Sequence, residues 1–135
     1  MKHILAKSAF VLIALTVPVS AAAQAAIEGR WANPKRSVIV RVARCGNAWC
    51  GTVVQASDKA KATARRGGTA NLIGTQILSD VQSDGNGVFK GRAFDPKRNL
   101  RAPATIRLIG SNTLVVKGCV LGGFICKEQR WSRVG

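Results

Sequence analysis

Residues 88–120 read VFKGRAFDPKRNLRAPATIRLIGSNTLVVKGCV, and their pattern decides the fold. Phe89, Gly91 and Ala93 alternate with Lys90 and Arg92, and Ala104, Ile106 and Leu108 alternate with Thr105 and Arg107. Successive side chains of a strand point to opposite faces, so a period of two marks strands with apolar residues inside and cations outside. Gly110-Ser111-Asn112 closes one hairpin and Asp84-Gly85-Asn86-Gly87 another. Gly and Asn suit such turns because they tolerate a left-handed backbone.

The same reading extends along the chain in both directions. Val38, Val40 and Val42 share a face opposite Ser37, Ile39, Arg41 and Ala43, and Asn33-Pro34-Lys35 supplies a turn before them. In all, eight runs read as strands: 27–32, 37–44, 50–56, 75–81, 88–94, 101–109, 113–120 and 128–134. Eight hairpin-linked strands in one small domain predict an all-β fold, an eight-stranded up-and-down barrel that leaves no exposed sheet edge. An interior of that size is filled by side chains or holds one small ligand. Arg41, Lys90, Arg92, Arg107 and Lys117 then form a spread-out positive coat.

One segment departs from the strand pattern. Residues 57–73 (SDKAKATARRGGTANLI) are Ala-rich and basic, and Asp58–Arg66 suits two turns of helix across a barrel mouth. A connection this long in a small domain is commonly functional or disordered.

The N-terminus has the order of a secretory signal peptide: Lys2, His3 and Lys7, then a short apolar run AFVLIALTV, then small residues around Ala21-Ala22-Ala23. The run is about half the roughly 20 residues that span a bilayer. Residues 1–23 are therefore expected to be removed, with cleavage near 23–25, leaving 26–135 as a single β-barrel domain with no transmembrane segment, periplasmic or secreted. The chain has 21 Lys and Arg against 6 Asp and Glu, net +15, and loss of Lys2 and Lys7 leaves +13. In an exported protein that charge fits either plain solubility or anionic envelope components (lipid headgroups, lipopolysaccharide phosphates or acidic polymers), and not nucleic acid.

Four cysteines, at 45, 50, 119 and 126, all lie in the expected mature part. An even count in a short exported chain reads as disulfides. Each pair flanks turn-like residues, Gly46-Asn47-Ala48-Trp49 and Leu121-Gly122-Gly123-Phe124-Ile125, which favours Cys45–Cys50 and Cys119–Cys126. A four-thiolate zinc site is disfavoured, because neither pair has the two-residue spacing of a zinc knuckle.

The inventory for catalysis is thin. His3 is the one histidine and falls in the leader, and tyrosine is absent. Nucleophile–histidine arrangements and histidine metal sites are thereby excluded from the mature domain. Asp84 and Asp95 read as turn caps, Asp80 and Asp58 stand apart, and Glu28 and Glu128 form the one pair that closure could bring together, with Arg30 or Arg130 as ion-pair partners. The spaced acids of a calcium loop are missing. No enzyme, metal or cofactor is expected.

Several fragments, taken in order, resemble a family of exported bacterial proteins called domain of unknown function 2147. They are Gly29-Arg30-Trp31, Arg44-Cys45-Gly46, Cys50-Gly51-Thr52-Val53-Val54, Gly91 before Asp95-Pro96, 114–119 (LVVKGC) and 129–134 (QRWSRV). The likeness runs from about Ile27 to Val134, although Gln55-Ala56 stands where the family commonly has an aromatic residue. It implies a lipocalin-like barrel in the envelope and no established reaction. Gly29–Trp31 with Arg130-Trp131 also resembles lipocalins, in which an arginine of the last strand packs over the first-strand tryptophan. Trp31, Arg130 and Trp131 are thus the expected closure residues. The leading functional expectation is binding of a small amphipathic or anionic ligand, with Val40, Phe89, Ile106 and Leu108 lining a pocket. Lys59, Lys61, Arg65 and Arg66 at the mouth would meet its acidic group. The alternative is a pocketless module that binds anionic polymer, lipid or a partner protein through its basic surface.

Overall fold

A computed structural model describes residues 8–15, 26–123 and 125–135. The expected leader lies mostly outside the described residues, as does its cleavage region. Residues 8–15 are exposed and form no helix or strand. Among the described residues, no helix is long and apolar enough to cross a membrane.

The eight strands are β1 Gly29–Ala32, β2 Val38–Cys45, β3 Ala48–Ala56, β4 Gln76–Ser83, β5 Val88–Asp95, β6 Leu100–Ile109, β7 Thr113–Val120 and β8 Ile125–Val134. Each pairs antiparallel with the next, and β1 pairs with β8, so the sheet closes into the expected barrel. Two strands begin two or more residues earlier than their sequence pattern suggests. β3 starts at Ala48, and β8 starts at Ile125 because the β7–β8 ladder runs up to the pair Val120–Ile125. Both disulfides have the expected pairing, with Cα separations of 5.9 Å for Cys45–Cys50 and 4.1 Å for Cys119–Cys126.

The inward residues form one continuous core that includes Trp31, Val40, Val42, Trp49, Leu78, Val81, Phe89, Ile106, Leu114 and Trp131. Small inward residues serve close approach instead of leaving room. A Cβ at Gly51 would stand 3.1 Å from both Val40 Cγ1 and Leu78 Cβ, and one at Gly91 would stand 2.8 Å from Val81 Cγ2.

The helix expected after β3 is present as α1, Asp58–Arg66. Ser57 caps it, its hydroxyl accepting from the Ala60 amide, and Asp58 in the first turn suits the positive end of the helix dipole. Ala60 and Ala64 pack against Val53, Leu72, Val38 and Ile77, forming a second small core. At the other end, Gly67 meets the β5–β6 connection so closely that a Cβ would lie 2.0 Å from the Lys97 carbonyl oxygen. Thr69 adds a hydrogen bond from its hydroxyl to the Pro96 carbonyl, 2.9 Å. The helix is therefore tied to both sides of the barrel end where β3, β5 and β7 finish.

Candidate functional site

Val40, Phe89 and Ile106 are 1%, 2% and 1% exposed, and Leu108 is half-buried against the same core. Among the described residues these four side chains belong to packed interior and do not form the wall of an open mouth. Lys59, Arg65 and Arg66 are exposed and Lys61 is half-buried, all on α1. The buried face of α1 is its alanines, so its cations face solvent. The apolar and basic halves of the expected pocket are thus separated by the helix itself.

Barrel closure also needs a correction. Arg130 is exposed and pairs in register with Val115 on the outer face. The guanidinium over Trp31 belongs to Arg133, 4.3 Å from the ring centroid, and Arg133 is the direct cross-strand partner of Trp31. Arg133 also donates to the backbone carbonyls of Ala26 (2.6 Å), Glu28 (2.8 Å) and Ser111 (2.9 Å). One side chain thereby joins the chain before β1 to the β6–β7 turn. Gly29 accommodates it, with φ of +140° and only 2.5 Å between an added Cβ and Arg133 Nη1. Trp31 and Trp131 are core residues, at 0% and 5% exposure. The Trp31 indole donates to the Ile27 carbonyl at 3.0 Å, and that of Trp131 donates to Gln129 Oε1 at 2.9 Å. The signal for Arg133 was in the alternation: if Trp131 faces inward, Arg130 faces out and Arg133 shares the inward side.

The carboxylates do not converge either. Asp95 Oδ1 accepts from the Lys97 amide at 3.0 Å, and Asp84 Oδ1 from the Asn86 amide at 3.1 Å, so both are turn caps as expected. The β1–β8 register pairs Ala32 with Ser132 and Arg30 with Val134, which puts Glu28 and Glu128 towards opposite ends of the barrel. The ion pairs among the described residues are Lys61–Asp58 at 3.9 Å and Arg98–Asp95 at 2.8 Å, and neither uses those glutamates.

What the wall does assemble is a shallow trough on its outer side. An upper recess is lined by Arg36, Ser37, Ile39, Val54, Gln55, Ala56, Ser57 and Ile73. A lower recess is lined by Arg41, Ala43, Arg44, Thr52, Val54, Gln76 and the Cys45–Cys50 disulfide. Val54 is common to both, so the recesses run together along the outer faces of β2 and β3. Ile39, Val54 and Ala43 give it an apolar floor, three arginines border it, and no acidic residue lines it. Arg36 is held in place by a rigid turn. Its φ is +54°, its amide donates to the Asn33 carbonyl, and Asn33 Oδ1 accepts from the Ser37 and Val38 amides at 2.8 and 2.9 Å. Arg44 stands 5.3 Å from the Trp49 ring centroid. Sequence reasoning placed Ile39, Arg41 and Ala43 on the outer face; Arg36 and Arg44 lie on the same strand or the turn before it, and Val54 joins them through the β2–β3 pairing.

Residues 29–133 match the family described as uncharacterized protein conserved in bacteria, DUF2147. The chain belongs to that family. Among solved structures, this DUF2147 barrel is similar to protein HP1028 from the human pathogen Helicobacter pylori, described as belonging to the lipocalin family. The TM-score is 0.62 at 14% identity, over 81% of this chain and 83% of that one. Comparison with the curated proteins finds no match. The DUF2147 chain thus has a lipocalin-like barrel with a packed core, and the two recesses lie on its outer wall.

Proposed function

We propose that this DUF2147 protein is a non-catalytic binding protein of the bacterial envelope, and that it holds a small amphipathic anion on the outer wall of its barrel. The observation that carries this reading is the trough: an apolar floor of Ile39 and Val54 bordered by Arg36, Arg41 and Arg44 without a carboxylate. A guanidinium offers a planar fork matched to carboxylate or phosphate, while the floor can cover part of an alkyl chain. The leader pattern and the two disulfides support an exported, oxidising location.

Titration with dodecyl phosphate below its micelle concentration, followed by amide chemical shifts, tests the reading. The expected shifts fall at Ile39, Val54 and their neighbours, and replacing Arg36, Arg41 and Arg44 by Gln weakens binding about tenfold or more. Shifts centred on Phe89 and Ile106, with affinity unchanged in the triple variant, would return the site to the barrel interior. A second reading has its own support in the scarcity of ion pairs among the described residues. With most cations unmatched, the surface can hold an anionic envelope component directly.

A further inference from the structure

The exposed large apolar side chains of the barrel domain are unevenly placed. Among the described residues of the barrel domain, Ile73 (47% exposed), Leu100 (49%), Leu121 (70%) and Ile125 (53%) lie at the end crossed by α1, and Ile109 (43%) lies at the other. Single exposed apolar residues need no explanation, but a set confined to one end does. Leu121 and Ile125 are the most exposed of the four, on either side of the turn joining β7 to β8. The Cys119–Cys126 disulfide and the adjacent pair Val120–Ile125 brace the two ends of that turn, so Leu121 and Ile125 are held in place in advance of any contact. Leu121 has φ of +54°, a conformation that a bulky residue seldom adopts.

Cations outnumber acids at this end. Lys59, Arg65 and Arg66 are exposed on α1, Lys97 and Arg98 in the β5–β6 connection, and Lys117 and Lys127 flank the disulfide on β7 and β8. Against them stand Asp58 on α1, Asp95 paired with Arg98, and Glu128 opposite Lys117. Apolar tips on an end with a net excess of Lys and Arg match the interface of an anionic bilayer, where headgroup charge draws the cations and the acyl boundary receives the tips. A protein partner would need a complementary acidic surface with its own apolar pocket, and nothing at this end selects one.

We propose that this end of the barrel docks on anionic phospholipid surfaces, with Leu121 and Ile125 inserted at the headgroup boundary. The inference takes up the basic-surface reading and does not depend on the trough. The test is cosedimentation of the full mature chain with vesicles of phosphatidylglycerol mixed with phosphatidylcholine, and with phosphatidylcholine alone. Wild type is expected to bind the mixed vesicles and to be released by salt, because screened charges contribute less. The double variant Leu121→Ser, Ile125→Ser is expected to lose about tenfold or more in vesicle affinity, while its binding to soluble dextran sulfate is unchanged. Both positions are exposed at a turn, so the melting temperature serves as a check that the fold is intact. No sedimentation of wild type with the mixed vesicles overturns the proposal. So does vesicle affinity of the double variant within about twofold of wild type, which points to simple polyanion binding. The dodecyl phosphate titration reads the trough separately, so either idea can fail alone.

Discussion

Arg133→Ala is expected to be among the most damaging single truncations in the barrel, although the residue is only half-buried. The substitution deletes three hydrogen bonds to the carbonyls of Ala26, Glu28 and Ser111, and a cation–π contact with Trp31 at 4.3 Å. Bonds from a charged donor contribute about 1.5–3 kcal/mol each, and partial exposure brings each nearer to about 1. The ring contact adds about 0.5–1 kcal/mol, for a loss of about 3–4 kcal/mol. In a domain of this size that corresponds to a fall of roughly 12–20 °C in Tm. Urea unfolding followed by tryptophan fluorescence measures the free energy, and calorimetry the temperature. Arg133→Lys keeps the charge but has one short donor group, so it should recover about a third of the loss. Arg130→Ala is the matched control and should change stability by less than about 0.5 kcal/mol. The reasoning fails if Arg133→Ala costs less than about 1 kcal/mol, or if Arg130→Ala costs as much.

Other perturbations test other parts of the fold. Among the described residues, Trp49 Nε1 is buried with no hydrogen-bond partner, whereas Trp31 Nε1 has one. Trp49→Phe should therefore cost about 1–2 kcal/mol less in chemical denaturation than Trp31→Phe, because it removes an orphaned donor; equal costs would refute this. Gly67→Ala places a Cβ 2.0 Å from the Lys97 carbonyl oxygen, so α1 must lift from the β5–β6 connection. Amide exchange across 58–70 should then rise with little change in the core strands, and unchanged protection there would show the helix is not held by that contact. Replacing Cys119 and Cys126 together by Ser should cost about 2 kcal/mol, read as a lower urea midpoint, and loosen the tip that carries Leu121 and Ile125. A double variant as stable as wild type would show that the β7–β8 pairing alone holds that turn.

Much of the barrel was legible because a strand's two faces are a local property. Val40, Phe89, Ile106 and Trp131 could be assigned inward from their neighbours alone, and they are inward. The disulfide partners were legible for the same reason, since each pair spans one turn. The choice of Arg130 over Arg133 was an error of a different kind, since the alternation around Trp131 already excluded Arg130 from the inner face. The candidate pocket was not legible because small inward residues fit two geometries. Gly51 and Gly91 leave space in a wide barrel and permit contact in a narrow one, and the distances across the interior show contact.

The sequence alone determined that the chain forms short alternating strands, which side of each carries the cations, and where the hairpins are stapled. Those features depend on residues a few positions apart, so local chemistry suffices. The tertiary structure decided the rest: that Arg133 meets Trp31 across the closing seam, that α1 packs its alanines on the barrel end with its cations out, and that β3 brings Val54 beside the three arginines of β2 and its turn to make one apolar trough. Each of these depends on the register between distant segments, which packing of the whole barrel selects and no single stretch of sequence encodes.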